Sequence, residues 1–255
     1  MHENAIAAVV GADAMPVEPQ PRTKKRLKAP TLLEQAVDVF TQPTQLFTRL
    51  ADTPRWGGAL LLVIIAAWLW VVPWSLKVDA DALYRPVLEK NGSMPAAQIE
   101  SVIEITRRFM MPMTLMAVTF RNLFGTLFFG LMFWLVGLGT KAERKPKFLQ
   151  AVSASAVPGL MLVPYFLMIG VVSALRDVGS QIPDRLAPSG LAFYLRPENP
   201  KLYALLAQVD PFIIGFFVMT FLATRHVMRL KNKEAALCTA LALVVSLGWR
   251  IYFWV

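Results

Sequence analysis

Five apolar stretches, each close to the length of a bilayer crossing, constrain this chain more than any other feature. They occupy residues 57–76, about 118–139, about 148–175, about 211–227 and about 235–255. A helix needs roughly 20 apolar residues to cross about 30 Å of hydrocarbon. Within lipid the backbone must satisfy its own polar groups, which leaves helices as the economical way to span. The pattern therefore predicts an all-α fold, a polytopic membrane helix bundle with five transmembrane helices and an amphipathic helix leading in on the cytoplasmic side. Composition agrees: 56% of residues are hydrophobic and only 17% charged, against about 25% charged in soluble domains. The mean hydropathy of +0.49 excludes an ordinary soluble globule.

Two of the stretches do not fit the ruler as they stand. Apolar character begins at Phe109, well before the second span, and would make a helix too long for the bilayer. A helix starting outside the membrane near Pro95, with Ile99, Val102, Ile103 and Phe109 on a partial apolar face, accounts for it by continuing inward. The fourth stretch is short, and 202–209 is expected to extend it as an interfacial helix. Ahead of the first span, Leu32, Leu33, Ala36, Val37 and Phe40, then Leu46, Phe47 and Leu50 after Pro43, recur at helical spacing. Two placements suit such amphipathic turns: flat on the membrane surface, or packed against the protein's own cytoplasmic face. Residues 1–30 have no apolar period and are expected to be a disordered cytoplasmic tail. The short run at 6–10 lacks a basic lead-in and makes a poor signal peptide, so the first span is expected to serve as the membrane address.

The chain carries 26 Lys+Arg against 17 Asp+Glu, a net charge of +9. That excess fits either a nucleic-acid partner or basic loops on one side of a membrane, and position decides between them. Basic residues gather ahead of span one (Arg22, Lys24, Lys25, Arg26, Lys28), between spans two and three (Lys141, Arg144, Lys145, Lys147) and between spans four and five (Arg225, Arg229, Lys231, Lys233). These segments alternate along the chain and share a side, which the positive-inside rule makes cytoplasmic. The intervening loops are nearly balanced. The expected topology has the N-terminus inside and the C-terminus outside, and no nucleic acid is needed to explain the charge. Trp56, Trp70, Trp74, Trp249, Tyr252 and Trp254 fall at span ends, as interfacial anchors would.

Ionisable residues within or at the edge of the spans are few: Arg121 in span two, Asp210 entering span four and Arg250 in span five. An isolated charge at a helix centre costs roughly 2.5–3.5 kcal/mol on insertion scales, so Asp210 pairing with one or both arginines would make an intramembrane polar cluster tying spans two, four and five. Separate snorkelling of the arginines to the headgroups is the alternative. In span three Ala151, Ser155 and Gly159 recur every four residues and are expected to form a helix-packing face. Pro158 and Pro164 would kink the same helix. Chemistry is not evident: there is no phosphate-binding loop, nucleophile elbow or HExxH motif. The acidic residues Asp79, Asp81, Glu89, Glu100, Glu104, Asp177 and Asp184 are scattered in loops and read as solvated faces. One cysteine, Cys238, and two histidines, His2 and His226, allow neither an intrachain disulfide nor a cysteine metal cluster. Neither a catalytic residue, a metal nor a cofactor is expected.

The order of these features resembles the Yip1 domain family of five-span membrane proteins, over about residues 35–255. The resemblance is carried by FTQPTQLFTRLADTPRWGGALLL, by AVSASAVPGLMLVPYFL, by VDPFIIGFFVMTFLATRHVM with its basic turn, and by the Ala-rich last span from Glu234. It implies a cytoplasmic N-terminus, a C-terminus on the far side and no enzymatic activity. Periodicity and resemblance together divide the chain into the tail (1–30), an amphipathic interfacial segment (31–55) and a five-span Yip1-like membrane domain (56–255). The short basic tail and compact form are similar to the prokaryotic branch, some of whose members associate with export systems, and depart from the trafficking members that bind GTPases. The expected function is a non-enzymatic scaffold or accessory subunit of a membrane complex in the bacterial inner membrane. Lys24, Lys25, Arg26, Lys141, Arg144, Lys145, Lys147, Arg229, Lys231 and Lys233 would contact anionic lipid or a protein partner. A small oligomeric transporter or channel subunit for an anion or lipid is the alternative. A homo-oligomer is the other partnership considered.

Overall fold

A computed structural model describes residues 28–90, 94–140 and 145–254, and among these the chain is helical with no strand. Eleven α-helices follow one another: α1 (Leu32–Thr41), α2 (Pro43–Asp52), α3 (Gly57–Lys77), α4 (Ala80–Lys90), α5 (Ala96–Gly139), α6 (Phe148–Ala156), α7 (Val163–Leu175), α8 (Leu191–Leu195), α9 (Pro200–Leu206), α10 (Pro211–His226) and α11 (Asn232–Trp254). Short 3-10 helices at Val157–Leu162 and Pro183–Leu186 complete the order. Four helical stretches are long and apolar enough to cross a membrane, and a fifth results when α9 and α10, bent by 61° at their junction, count as one span. The chain therefore has the helices of a multi-pass membrane protein. The tail read over 1–30 lies, but for its last three residues, outside the described residues.

The lead-in segment begins with a capping box. The Thr31 hydroxyl accepts from the Glu34 amide at 3.2 Å while the Glu34 carboxylate accepts from the Thr31 amide at 2.7 Å, satisfying two donors that a helix start leaves open. The second of these bonds is the main reason that Glu34 is held below the usual carboxylate range. Of the two placements open for the amphipathic turns, α2 takes the internal one. Its Leu46, Phe47 and Leu50 are fully buried against α6 and α10. Helix α1 is divided: Val39 and Gln35 face inward, while Leu33, Val37 and Phe40 stay exposed. Arg49 binds the two helices together through Asp38 and, at 3.8 Å, Glu34.

Helix α3 is the hub of the bundle. Ala59, Val63, Ala66, Ala67 and Val71 are buried along it, and α7, α5 and the 3-10 segment at Val157–Leu162 pack around it. Trp70 and Trp74 belong to this core rather than to an interfacial belt. They are 6% and 5% exposed, meet edge to face at 6.1 Å, and Trp74 Nε1 donates to the Gln181 carbonyl at 3.0 Å. For Trp74 the cause is the loop after α7, which folds back over the end of α3 and accepts the indole N–H; Trp70 lies one turn deeper, where α7 passes close at Gly170.

Helix α5 runs unbroken for 44 residues, about 66 Å at 1.5 Å per residue, twice the hydrocarbon thickness. This matches the expected start outside the membrane near Pro95. Its projecting end pairs with α4 through Arg85, which bonds Asp81 and Glu100, each at 2.7 Å, and approaches Glu89 at 4.0 Å. Three acidic residues read as scattered solvated faces are thus gathered by one guanidinium: Asp81 and Glu89 lie one helical turn either side of Arg85 on α4, and Glu100 comes from the packed α5. The hydrogen bond from Arg85 lowers the Asp81 pKa. A carboxyl depressed in the folded state stabilises fully above its unfolded pKa and loses that contribution as pH falls through the folded one. The Asp81–Arg85 pair within α4 is accordingly acid-labile and intact at neutral pH.

Candidate functional site

The structure places the sequence-marked residues in three settings. Asp210 opens α10, 1% exposed. One carboxylate oxygen accepts from the amides of Phe212 at 2.8 Å and Ile213 at 3.3 Å, and the other accepts from the Ser189 hydroxyl. It is an N-cap, filling the donors that the first turn leaves open and placing negative charge at the positive end of the helix dipole. The sequence signal was present, since Asp followed by Pro is a helix-start signature. Ser189 gave no warning, being 21 residues away. Arg121 lies exposed on α5, and Arg250 half-buried near the end of α11.

The small-residue row is split. Ala151 and Ser155 lie in α6, and the Ser155 hydroxyl donates to the Thr126 carbonyl of α5 at 2.6 Å. Gly159 lies in the following 3-10 segment and faces α3, where a Cβ would stand 3.3 Å from Val63 Cγ2. Pro158 has no N–H to offer the Ala154 carbonyl, and the tighter turn beyond it has 3.0 residues per turn rather than 3.6. A four-residue spacing therefore no longer stays on one face. The closest helix approaches lie elsewhere. A Cβ on Gly170 of α7 would fall 2.9 Å from the Leu69 carbonyl oxygen, and one on Gly130 of α5 would fall 3.1 Å from Val152 Cα. Each glycine has a single small residue at four-residue spacing, Thr126 for Gly130 and Ala174 for Gly170, a shorter row than that of span three.

Of the basic residues assigned to the cytoplasmic face, Lys24, Lys25, Arg26, Lys141 and Arg144 lie outside the described residues. The other five divide by role. Lys145 closes the C-terminus of α5, its ammonium donating to the Leu138 carbonyl at 2.7 Å and to that of Thr140. Arg229 adopts a left-handed backbone at φ 58° and pairs with Asp52 of α2 at 2.7 Å. Lys147, Lys231 and Lys233 present exposed side chains. Beside them Gln150, at the start of α6, accepts from the Lys147 amide at 2.8 Å and donates to the Ala51 carbonyl at 2.6 Å. That carbonyl is one that the end of α2 leaves open, so Gln150 latches the lead-in helices to span three.

The latch has an unequal pair of arms. Arg229–Asp52 is about half exposed on both sides, and such pairs contribute about 0–1 kcal/mol. Removing the Gln150 amide strands buried polar groups, at about 1–3 kcal/mol. Gln150→Ala is expected to speed tryptic cleavage at Arg49 and Arg55 severalfold in detergent, whereas Asp52→Asn leaves it nearly unchanged. Equal cleavage of both variants would remove the distinction.

Among the described residues no three of His, Cys, Asp and Glu converge to hold a metal ion. Cys238 is fully buried on the inner face of α11, beside Ala235 and Ala242. No family model matches this chain, and none of the curated proteins or solved structures matches it either.

Proposed function

We propose that the chain is a non-enzymatic scaffold or accessory subunit of a complex in the bacterial cytoplasmic membrane, built like the prokaryotic Yip1-type proteins. The supporting observation is how the polar groups are used. Asp210 caps its own helix, and the Ser155, Thr220 and Thr224 hydroxyls donate to backbone carbonyls. These four polar residues thereby serve the fold, and the exposed cations are left for contacts outside it. In the positive-inside orientation Lys147, Lys231 and Lys233 sit on the cytoplasmic face with the latched lead-in helices, at about 1 kcal/mol each near an anionic surface. Purification from native membranes in mild detergent is expected to recover a second membrane protein in constant ratio. Lys231→Glu with Lys233→Glu should reduce that recovery at least fivefold. Repeated recovery of this chain with no second protein overturns the reading.

A small oligomeric transporter or channel subunit is the second reading. It is favoured by two interrupted helices, the 3-10 break in span three and the 61° bend between α9 and α10, because broken spans line many transport paths. In that version Asp210 couples to Arg121 and Arg250 along a route for an anion or lipid. Flux of a labelled anion or lipid in reconstituted vesicles supports it, and its absence at high protein density removes it.

A further inference from the structure

On its side facing away from the bundle, α5 exposes Ile105, Phe109, Met113, Met116, Phe120 and Phe124, each 46–62% exposed. The same stripe continues at three- or four-residue spacing to Leu138, about 50 Å from its start at 1.5 Å per residue. Hydrocarbon can cover only about 30 Å of that length. The uncovered end is marked by charge: Glu100, Glu104, Arg107 and Arg108 are exposed on the same turns as Ile105 and Phe109, and the Arg85 clasp of α4 sits there too. Lipid tails therefore cover the lower part of the stripe, while Ile105, Phe109 and Met113 fall beyond the hydrocarbon, exposed with no helix of their own chain over them. Contiguous exposed apolar surface marks a membrane or a protein contact; beyond the hydrocarbon the second applies, and methionine adapts well to such a surface.

We propose that this stripe is a homodimer seam, in which a second copy of the chain lays its own α5 along it about a two-fold axis parallel to the membrane normal. The occupant must be apolar over about 50 Å and must pass from lipid to water at the same height as α5 itself. A symmetric copy meets both conditions by construction, since an isologous contact sets each level of the helix against its equivalent. The area is sufficient as well. Taking about 100 Å² for each half-exposed large side chain, the stripe offers on the order of 1,000 Å² per copy, against about 800 Å² per partner in a standard interface. The seam rests on the membrane-spanning character of α5 and not on the scaffold role.

Disulfide trapping in native membranes tests it with the full chain. Cys238 is buried and does not compete. Phe109→Cys and Met116→Cys should each give a band at twice the 28.4 kDa of the chain, at least tenfold stronger than Met111→Cys. Met111 is 38% exposed but points about 200° around the helix from Phe109. In dilute lipid vesicles the labelled wild-type chain should bleach in two steps, and Phe109→Glu with Met113→Glu in one, with helicity unchanged. Equal trapping at Met111, no trapping at either stripe position, or one-step bleaching of the wild type overturns the seam. None of these outcomes bears on whether a second membrane protein is recovered, so the two readings fail separately.

Discussion

Gly170→Ala is expected to destabilise the bundle by about 1–3 kcal/mol, the usual cost of forcing a methyl group into a filled core, and Gly170→Val by more. The added Cβ meets the Leu69 carbonyl oxygen at 2.9 Å and Trp70 Cα at 3.3 Å. Both are backbone atoms of α3, so no rotamer change relieves the clash and the helices themselves must separate. Within a bilayer the loss has no simple compensation, because lipid tails are as apolar as the helix faces and association depends on close packing. Gly125 supplies the control. It lies in the same kind of helix, but nothing stands within 4 Å of its Cβ position. Gly125→Ala should stabilise slightly, by about 0.5–1 kcal/mol from helix preference. Thermal unfolding followed by loss of the monodisperse peak in detergent checks both. A Gly170→Ala protein as stable as the wild type would show that α3 and α7 do not approach this closely.

The contrast between these glycines indicates which parts of the fold could be read in advance. Individual helices were legible because their signal is local. Length against bilayer thickness forced the helix through Phe109 to begin near Pro95, and the shortness of 211–227 demanded a neighbouring segment, which the bent α9–α10 pair supplies. What a face packs against is information about pairs. The pattern of Leu46, Phe47 and Leu50 fixed an apolar face on α2 equally well for lipid or for protein, and only the position of α6 and α10 makes it core. The tryptophan rule missed Trp70 and Trp74 for the same reason: a loop 107 residues away covers the ring of Trp74. Gln150 was the most legible of the missed residues, an amide among apolar neighbours at a helix start.

Asp210 separates two roles that a single alanine substitution would merge. As an N-cap it needs an acceptor oxygen, and as a link to Arg121 or Arg250 it needs a charge. Asparagine keeps the first and removes the second, since its carbonyl can accept from the Phe212 and Ile213 amides while its NH2 group turns toward Ser189 Oγ. Asp210→Ala is therefore expected to cost about 0.5–2 kcal/mol for the cap, and a further 1 kcal/mol or so for the stranded Ser189 hydroxyl. Asp210→Asn should retain most of the stability, less a few tenths of a kcal/mol from the helix dipole. Thermal denaturation in detergent measures both, and the size of the Asp-to-Asn step is the informative quantity. If it approaches the alanine value, charge carries the site, and double-mutant cycles with Arg121→Gln and Arg250→Gln should then give coupling above about 0.5 kcal/mol. If it stays small, the buried carboxylate is retained for its geometry, and a path for anions or lipid past Asp210 would have to be built from the arginines alone.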